Sequence, residues 1–290
     1  VTVPLDLRDP NGLAALAADA QTRVIVLISK PPAPAIAQQI EQAAVAAGKP
    51  VVLFFLGAAP RPMPAGLVSA ASLRHAADLA VALARGQPLP LPGHASAEAT
   101  IMAAEACIAA MAPSQRALRA FFTGGTFCYE AQLVFIEHGL PCRSNAPATG
   151  ALAFDGEGDG HVLLDLGDDD YTRGRPHPMI DPSLRDAMVR TQGANAQTAV
   201  ILFDVVLGFG AHADPAASLS AALADAQREA QAHGRRLAMI GHVCGTEGDP
   251  QGRADQIRRL EAAGAVVVGS NVEAAMLAAH VAAHLAARHA

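Results

Sequence analysis

Apolar positions along the chain gather in short runs rich in β-branched residues, and longer helix-forming stretches lie between them. Residues 23–29 (Arg-Val-Ile-Val-Leu-Ile-Ser) form such a run, closed by Lys30-Pro31-Pro32, and 51–56 form a second after a helical stretch at 33–47 stopped by Gly48-Lys49-Pro50. Continuous rather than alternating hydrophobicity marks strands buried on both faces, and strand–helix–strand at this spacing requires parallel pairing through a right-handed crossover. A short strand at 3–7 is weakened by Pro4; a Pro-rich stretch (Pro60, Pro62, Pro64) precedes a helix at 71–84.

The later part of the chain repeats the alternation. Strands are expected at 118–122, 162–166, 199–206, 237–243 and 265–268, and helices at 126–138, 182–190, 215–233, 250–263 and 272–287. Between the halves, 86–93 (Gly-Gln-Pro-Leu-Pro-Leu-Pro-Gly) reads as a linker, because alternating Pro holds a segment extended. An Ala-rich helix at 95–111 follows it. The expected organisation is a first module at 1–86, a linker with its helix at 87–114 and a second module at 115–290: an α/β protein of two tandem open parallel sheets covered by helices. In such sheets ligands bind beyond the carboxyl ends of the strands, so the loops that follow strands are where chemistry is expected.

Composition narrows the partners. Lys plus Arg total 21 against 27 Asp plus Glu, a net charge of −6, and no basic block exceeds a pair, which argues against nucleic-acid or anionic-membrane binding. No apolar run approaches the ~20 residues that span a bilayer. Four scattered cysteines (Cys107, Cys128, Cys142, Cys244) without CxxC spacing suit a reducing cytoplasm. Val1 has no charged and apolar leader pattern behind it, so no signal peptide is expected; a chain that begins on Val is expected to be a processed product or a fragment.

Four post-strand loops of the second module differ from ordinary connectors. Thr123-Gly124-Gly125-Thr126 joins a strand to a helix, where backbone N–H groups and the helix dipole favour a carboxylate or phosphate; a tight turn needing glycine is the plainer alternative. Residues 164–178 are the densest ionisable stretch. In it Gly167, Asp168, Arg173, Arg175 and His177, the last between Pro176 and Pro178, can hold an anion while a carboxylate binds a metal or orients a base; a solvated charged loop is the alternative.

Asp204 to Pro215 ends a strand in Gly208-Phe209-Gly210. The glycine spacing imitates a dinucleotide fingerprint, but the acid that would bind a ribose falls inside a helix near Asp225 and Glu229, so NAD is rejected and a second anion loop is retained, with His212 and Asp214 contacting substrate or capping the helix. Gly245 and Thr246, after Cys244, offer further donors, with Asp249 expected as the N-cap before Pro250. Cys244 itself reads as a structural thiol. His280 and His284 lack a third metal ligand, and 155–160 lack the closing Glu of a calcium loop, so no metal site is expected.

Taken in order, these loops resemble the FdrA family, relatives of succinyl-CoA synthetase. The matches are Ile28-Ser29-Lys30-Pro31-Pro32, Gly48-Lys49-Pro50-Val51-Val52, Thr123-Gly124-Gly125-Thr126, Asp165-Leu166-Gly167-Asp168-Asp169, Tyr171 through Pro182, Phe203 through Gly210, Asp214-Pro215-Ala216, and Gly245-Thr246-Glu247 with Asp249-Pro250-Gln251. The resemblance implies two flavodoxin-like modules without the family's N-terminal CoA-binding region. Succinyl-CoA synthetases relay phosphate through a His in a Gly-His-Ala-Gly loop; at the matching place, 58–66, this chain has no His, and Gly93-His94-Ala95-Ser96 mimics the motif only within the linker.

The activity implied is carbamoyl or acyl transfer: oxamate carbamoyltransferase, which converts oxalurate and phosphate to oxamate and carbamoyl phosphate in allantoin catabolism. The alternatives are an NDP-forming acyl-CoA synthetase subunit and a non-catalytic assembly module. Under this reading Gly124, Gly125, Thr126, Gly167, Gly208, Gly210, Gly245 and Thr246 bind phosphate or substrate, Arg173, Arg175 and His177 act on the substrate carboxylate, and Asp168 and Asp204 orient. No resident cofactor is required; phosphate or carbamoyl phosphate is substrate, CoA and nucleotide enter only under the ligase alternative, and Mg2+ is admitted. Co-encoded protein subunits and an oligomer in the cytoplasm are expected as its context.

Overall fold

A computed structural model describes residues 11–58, 61–93, 97–109, 111–156 and 160–288. The strand expected at 3–7, His94 to Ser96 and residues 157–159 of the 155–160 turn lie outside the described residues. The chain divides into two compact units, Val1–Gly93 and His94–Ala290.

In the first unit α1 (Asn11–Ala18), β1 (Ile25–Ser29), α2 (Pro34–Ala46), β2 (Val51–Phe55), β3 (Leu67–Ser69) and α3 (Leu73–Arg85) build a parallel sheet in the order β1-β2-β3. β2 is central and buried on both faces, as its unbroken apolar run requires. On one face Ile25, Leu27, Val51 and Leu53 pack with Leu13 of α1 and Ile40 of α2. Beyond α3, Gly86 ends the helix in the left-handed region and the Pro-rich tail is tied back by the His75 ring, which lies 3.1 Å from the Pro90 carbonyl.

The second unit contains α4 (Ala97–Ile108), β4 (Ala117–Phe122), α5 (Gly125–Glu137), β5 (Cys142–Ser144), β6 (Leu152–Ala153), β7 (His161–Asp165), α6 (Asp169–Thr172), α7 (Ser183–Thr191), β8 (Thr198–Val206), α8 (Pro215–Ala232), β9 (Ala238–Cys244), α9 (Arg253–Ala262), β10 (Val266–Val268) and α10 (Asn271–Ala287). Its seven strands are parallel, in the order β10-β9-β8-β4-β7-β5-β6. The helix expected beside the linker is α4, and it packs here, with Ala104 and Ile108 in the core beneath α10.

Each face of this sheet has its own core. Leu118, Ala120, Phe122, Leu202 and Ile240 face α4, α5 and α10. Phe121, Leu164, Ile201, Phe203 and Val205 face α7, α8 and α9. The alternation along each strand sends successive side chains to opposite layers, so both sets must be apolar. Ala222, Ala226 and Ala230 of α8, and Ala275, Ala278 and Ala282 of α10, are buried; alanine favours helix and lets these helices approach the sheet closely.

The topology fixes where a ligand can sit. From β4 the chain passes to α5 and on toward β5, β6 and β7; it then returns across β4 to β8, whose helix α8 covers the other face. The connections leaving β4 and β8 therefore diverge, and the crevice between their carboxyl ends is the switch point of the sheet.

Candidate anion site at the carboxyl edge of the second sheet

β4 ends at Phe122, and the next three residues make the turn into α5. Gly124 is the N-cap in extended conformation, so α5 begins at Gly125, one residue earlier than the pattern indicated. This turn already holds an anion from within the chain. The Asp204 carboxylate, fully buried at the end of β8, accepts from Thr123 N–H at 2.7 Å, the Thr123 hydroxyl at 3.0 Å and Gly124 N–H at 2.8 Å.

Burial pushes the Asp204 carboxyl up, against the pull of these donors and of Arg185. Arg185 is itself buried; its Nη1 donates to the Asp204 carbonyl at 3.1 Å and its Nε faces Asp186 at 3.4 Å. Asp204 thus acts as an internal brace across the switch point, joining β8 to the first turn of α5.

A second carboxylate lies on the same turn. Asp165, at the end of β7, accepts from Gly167 N–H at 3.0 Å, and its backbone exchanges hydrogen bonds with the Asn145 amide. A Cβ on Gly125 would stand 2.3 Å from Asp165 Oδ2. Only glycine allows the carboxylate so near the helix start.

The N–H groups of Gly125 and Thr126 have no acceptor among the described residues, at the positive end of a 13-residue helix. His177 closes the site from the third side. A Cβ on Gly167 would lie 2.5 Å from His177 Nε2 and 3.1 Å from the Thr123 carbonyl, which places the imidazole over the Gly167 backbone beside the Thr123 turn. Because His177 Nδ1 accepts from Met179 N–H at 3.2 Å, the proton of the neutral ring sits on Nε2.

The remaining loop residues are placed differently. Gly208 N–H donates to Gln251 Oε1 at 3.1 Å, while Gln251 Nε2 donates to the carbonyls of Gly208 and His212. Gly210 is exposed. Asp214 makes no side-chain cap on α8; its carboxylate takes Gln256 Nε2 at 3.1 Å and Arg259 Nη1 at 2.7 Å. Thr246 donates both N–H and hydroxyl to Asp249, so that carboxylate is not the helix cap the sequence suggested: α9 begins at Arg253 behind Gly252, at φ +69°. Gly245 is pressed against Leu207.

Asp168 caps α6, accepting from Asp170 N–H at 3.1 Å, and Arg173 is exposed. Arg175 lines a cleft with Tyr171 rather than the α5 turn. The structure therefore gathers Gly124, Gly125, Thr126, Gly167, His177 and Asp204, and leaves the other candidates elsewhere. Among the described residues no three His, Cys, Asp or Glu side chains form a metal-binding group, and no helix is long and apolar enough to cross a membrane.

One neighbour had no sequence signal beyond a polar residue in an apolar run. His242 on β9 pairs in register with Asp204, so both side chains stand on the α5 face. It is buried, meets the Phe127 ring edge-on at 4.7 Å, and neither ring nitrogen has a hydrogen-bond partner among the described residues. Burial pulls its pKa down to about 3. Gln251 and Asp165 likewise became visible only through their tertiary partners.

The CoA-ligase family model matches residues 121–281, the sheet and loops just described. The chain belongs to the CoA-ligase family. A curated relative, the uncharacterized protein YahF of Escherichia coli (strain K12), is 36% identical over 271 residues, covering 92% of this chain and 52% of YahF. The chain thus spans about half the length of that relative.

Two solved structures are similar at a lower level. The dinucleotide forming acetyl-coenzyme A synthetase 1 of Ca. Korarchaeum cryptofilum (apo form) is 14% identical with a TM-score of 0.36, over 98% of this chain and 57% of that one. PH0766 from Pyrococcus horikoshii OT3 is 11% identical with a TM-score of 0.31, over 94% and 55%. Likeness this slight carries no argument about the site. For a CoA-ligase family chain, the relevant geometry is its own α5 turn.

Proposed function

We propose that the second unit of this CoA-ligase family chain binds phosphate or an acyl phosphate within an acid–thiol ligase, and that further polypeptide supplies the CoA and nucleotide sites. The observation that carries this reading is the pair of open N–H groups on Gly125 and Thr126 at the switch point, in a turn already shaped by Asp204. They hold the phosphoryl oxygens, and the helix dipole adds to their attraction. His177, with its proton on Nε2, donates to the same oxyanion and stabilises the charge that grows on the phosphate as it leaves. In the overall step the thiol sulfur bonds to the acyl carbon, the carbon–oxygen bond to phosphate breaks, and the thiol proton departs with the phosphate. The enzyme works in the cytoplasm as an oligomer with co-encoded subunits.

Carbamoyl transfer to phosphate is the second reading, and one sequence fact favours it: 58–66, where succinyl-CoA synthetases carry the phosphate-relaying His, contains none. Direct attack of bound phosphate on a carbamoyl carbon needs no such carrier. Oxalurate phosphorolysis by the chain with its co-encoded subunits distinguishes this from thioester formation.

The shared core is tested by titrating the whole chain with inorganic phosphate and acetyl phosphate in a calorimeter, beside Thr126→Pro. Proline is tolerated in a first helical turn and removes one donor. Saturable binding weakened ~10-fold in the variant supports the site, since one charge-assisted hydrogen bond is worth about that much. No binding, or equal affinity in the variant, overturns it.

A further inference from the structure

The residues of segment 175–178 meet different neighbours. His177 lies against Gly167 beside the Thr123 turn, while Pro176 and Pro178 line a cleft that His177 does not. They wall this cleft, of about 260 Å3, together with Leu166 at the end of β7 and Leu184 at the start of α7. Tyr171, Arg175, Asp181 and Ser183 are its polar lining, the last two at the entry to α7.

The polar groups of this cleft are unequally occupied. Asp181 accepts from Ser183 N–H at 3.0 Å, and that bond, with the Ser183 hydroxyl, holds its carboxyl below the usual range. Arg175 forms no ion pair with any described carboxylate, and the Tyr171 hydroxyl has no hydrogen-bond partner among the described residues. Burial, then Asp170 and Asp168, push the Tyr171 hydroxyl up, so it stays protonated and can donate. An unpaired guanidinium and an unpaired phenol beside proline and leucine walls offer two donors to one oxyanion and an apolar surface to whatever carries it.

We infer that this cleft is a second ligand site, which takes a small monocarboxylate with a compact apolar body: its carboxylate on Arg175 and the Tyr171 hydroxyl, its body between Pro176, Pro178, Leu166 and Leu184. Arg175 is the one cation among the described residues that line the cleft, and Asp181 is already ionised beside α7. A second negative charge on the ligand therefore meets repulsion rather than a partner, so dicarboxylates and inorganic phosphate are selected against. The site stands apart from the phosphate reading, because none of Gly124, Gly125, Thr126, Gly167 and His177 lines it.

The chain supplies its own reporter. It has no Trp and two Tyr, of which Tyr129 is buried on α5 and Tyr171 lines the cleft. Isovalerate, which does not absorb where tyrosine does, is titrated against the full chain and followed by tyrosine fluorescence, with succinate and isoamyl alcohol as comparison ligands and Arg175→Gln as the variant. Arg175 is exposed and unpaired, so the glutamine variant keeps the fold; its melting temperature is checked against the parent.

The expected result is a saturable fluorescence change with isovalerate, weakened ~10-fold or more by Arg175→Gln, and succinate and the alcohol each weaker than isovalerate by a similar factor. The isovalerate affinity is expected to be the same at saturating inorganic phosphate. No saturable change, an unaltered affinity in Arg175→Gln, succinate binding as tightly as isovalerate, or displacement of isovalerate by phosphate would each overturn the inference. Phosphate binding measured alone on the same protein keeps a failure here separate from a failure of the α5 site.

Discussion

Two glycine turns end neighbouring strands of one sheet, and they behave as opposites. After β4, Thr123-Gly124-Gly125-Thr126 is braced from beneath by Asp204, which takes the Thr123 and Gly124 donors and leaves those of Gly125 and Thr126 open. After β8, Gly208 at the head of Gly208-Phe209-Gly210 is pinned by the Gln251 amide, which fills both its donor and its acceptor. The helix that follows is not capped by Asp214, because that carboxylate is held by Gln256 and Arg259. A glycine-rich strand-to-helix turn is therefore a site or a seam according to which side chains from elsewhere reach its N–H groups first. Capacity to bind an anion belongs to the donors left over.

That contrast can be broken at its strongest point by Asp204→Ala. Three donors at the β4 turn lose their acceptor in a buried setting, and the expected loss of folding stability is about 4 kcal/mol, measured by denaturant unfolding, together with loss of phosphate binding. Unfolding within ~1 kcal/mol of the parent would show that the brace is dispensable.

The pH dependence comes next in size. His242 is neutral in the folded chain, with its pKa pulled down to about 3 by burial, and His161 is pulled down to about 4 by burial and then by Arg119. The unfolded imidazoles bind protons near the ordinary value of 6.5 while the folded ones do not, so the unfolded state gains protons first and stability falls as pH drops below 6.5. Each histidine contributes a slope of ~1.4 kcal/mol per pH unit between there and pH 4. His242→Leu is expected to remove about half of that slope in denaturant unfolding followed against pH; an unchanged slope would detach His242 from the α5 side of the contrast.

The smallest effect sharpens the other side. Gln251→Ala opens the β8 turn at an expected cost of ~1.5 kcal/mol, and phosphate affinity should stay within ~2-fold of the parent, because the β4 turn is untouched. A second phosphate bound by this variant would show that the amide alone separates seam from site.

Much of the architecture was legible because it follows from local periodicity. The runs 23–29, 51–56 and 199–206 correspond to Ile25–Ser29, Val51–Phe55 and Thr198–Val206, and the helix at 272–287 to Asn271–Ala287. The strands at Leu67–Ser69, Cys142–Ser144 and Leu152–Ala153 were not legible, being two or three residues long, too short to display a pattern. Helix starts were misjudged where Pro and Asp carried other roles. Pro250 follows an Asp whose carboxylate closes the Thr246 turn, and α9 waits until Arg253.

The candidate site divides along the same line. Glycine at 124, 125 and 167 and histidine at 177 stand out in the sequence, and all four meet at the α5 turn. Arg175 stands out equally, yet lines a different cleft, with Tyr171 and Asp181.

By itself the sequence determined which segments are strands and helices, that the strands run parallel, and that chemistry sits in the loops beyond their carboxyl ends, since these follow from residue spacing within a few turns of chain. Only the tertiary structure decided which donors of those loops are taken by side chains from elsewhere. That choice was made by Asp204, 80 residues from Gly124, and Gln251, 43 residues from Gly208, and pairings at such separations leave no periodic trace in the residues between them.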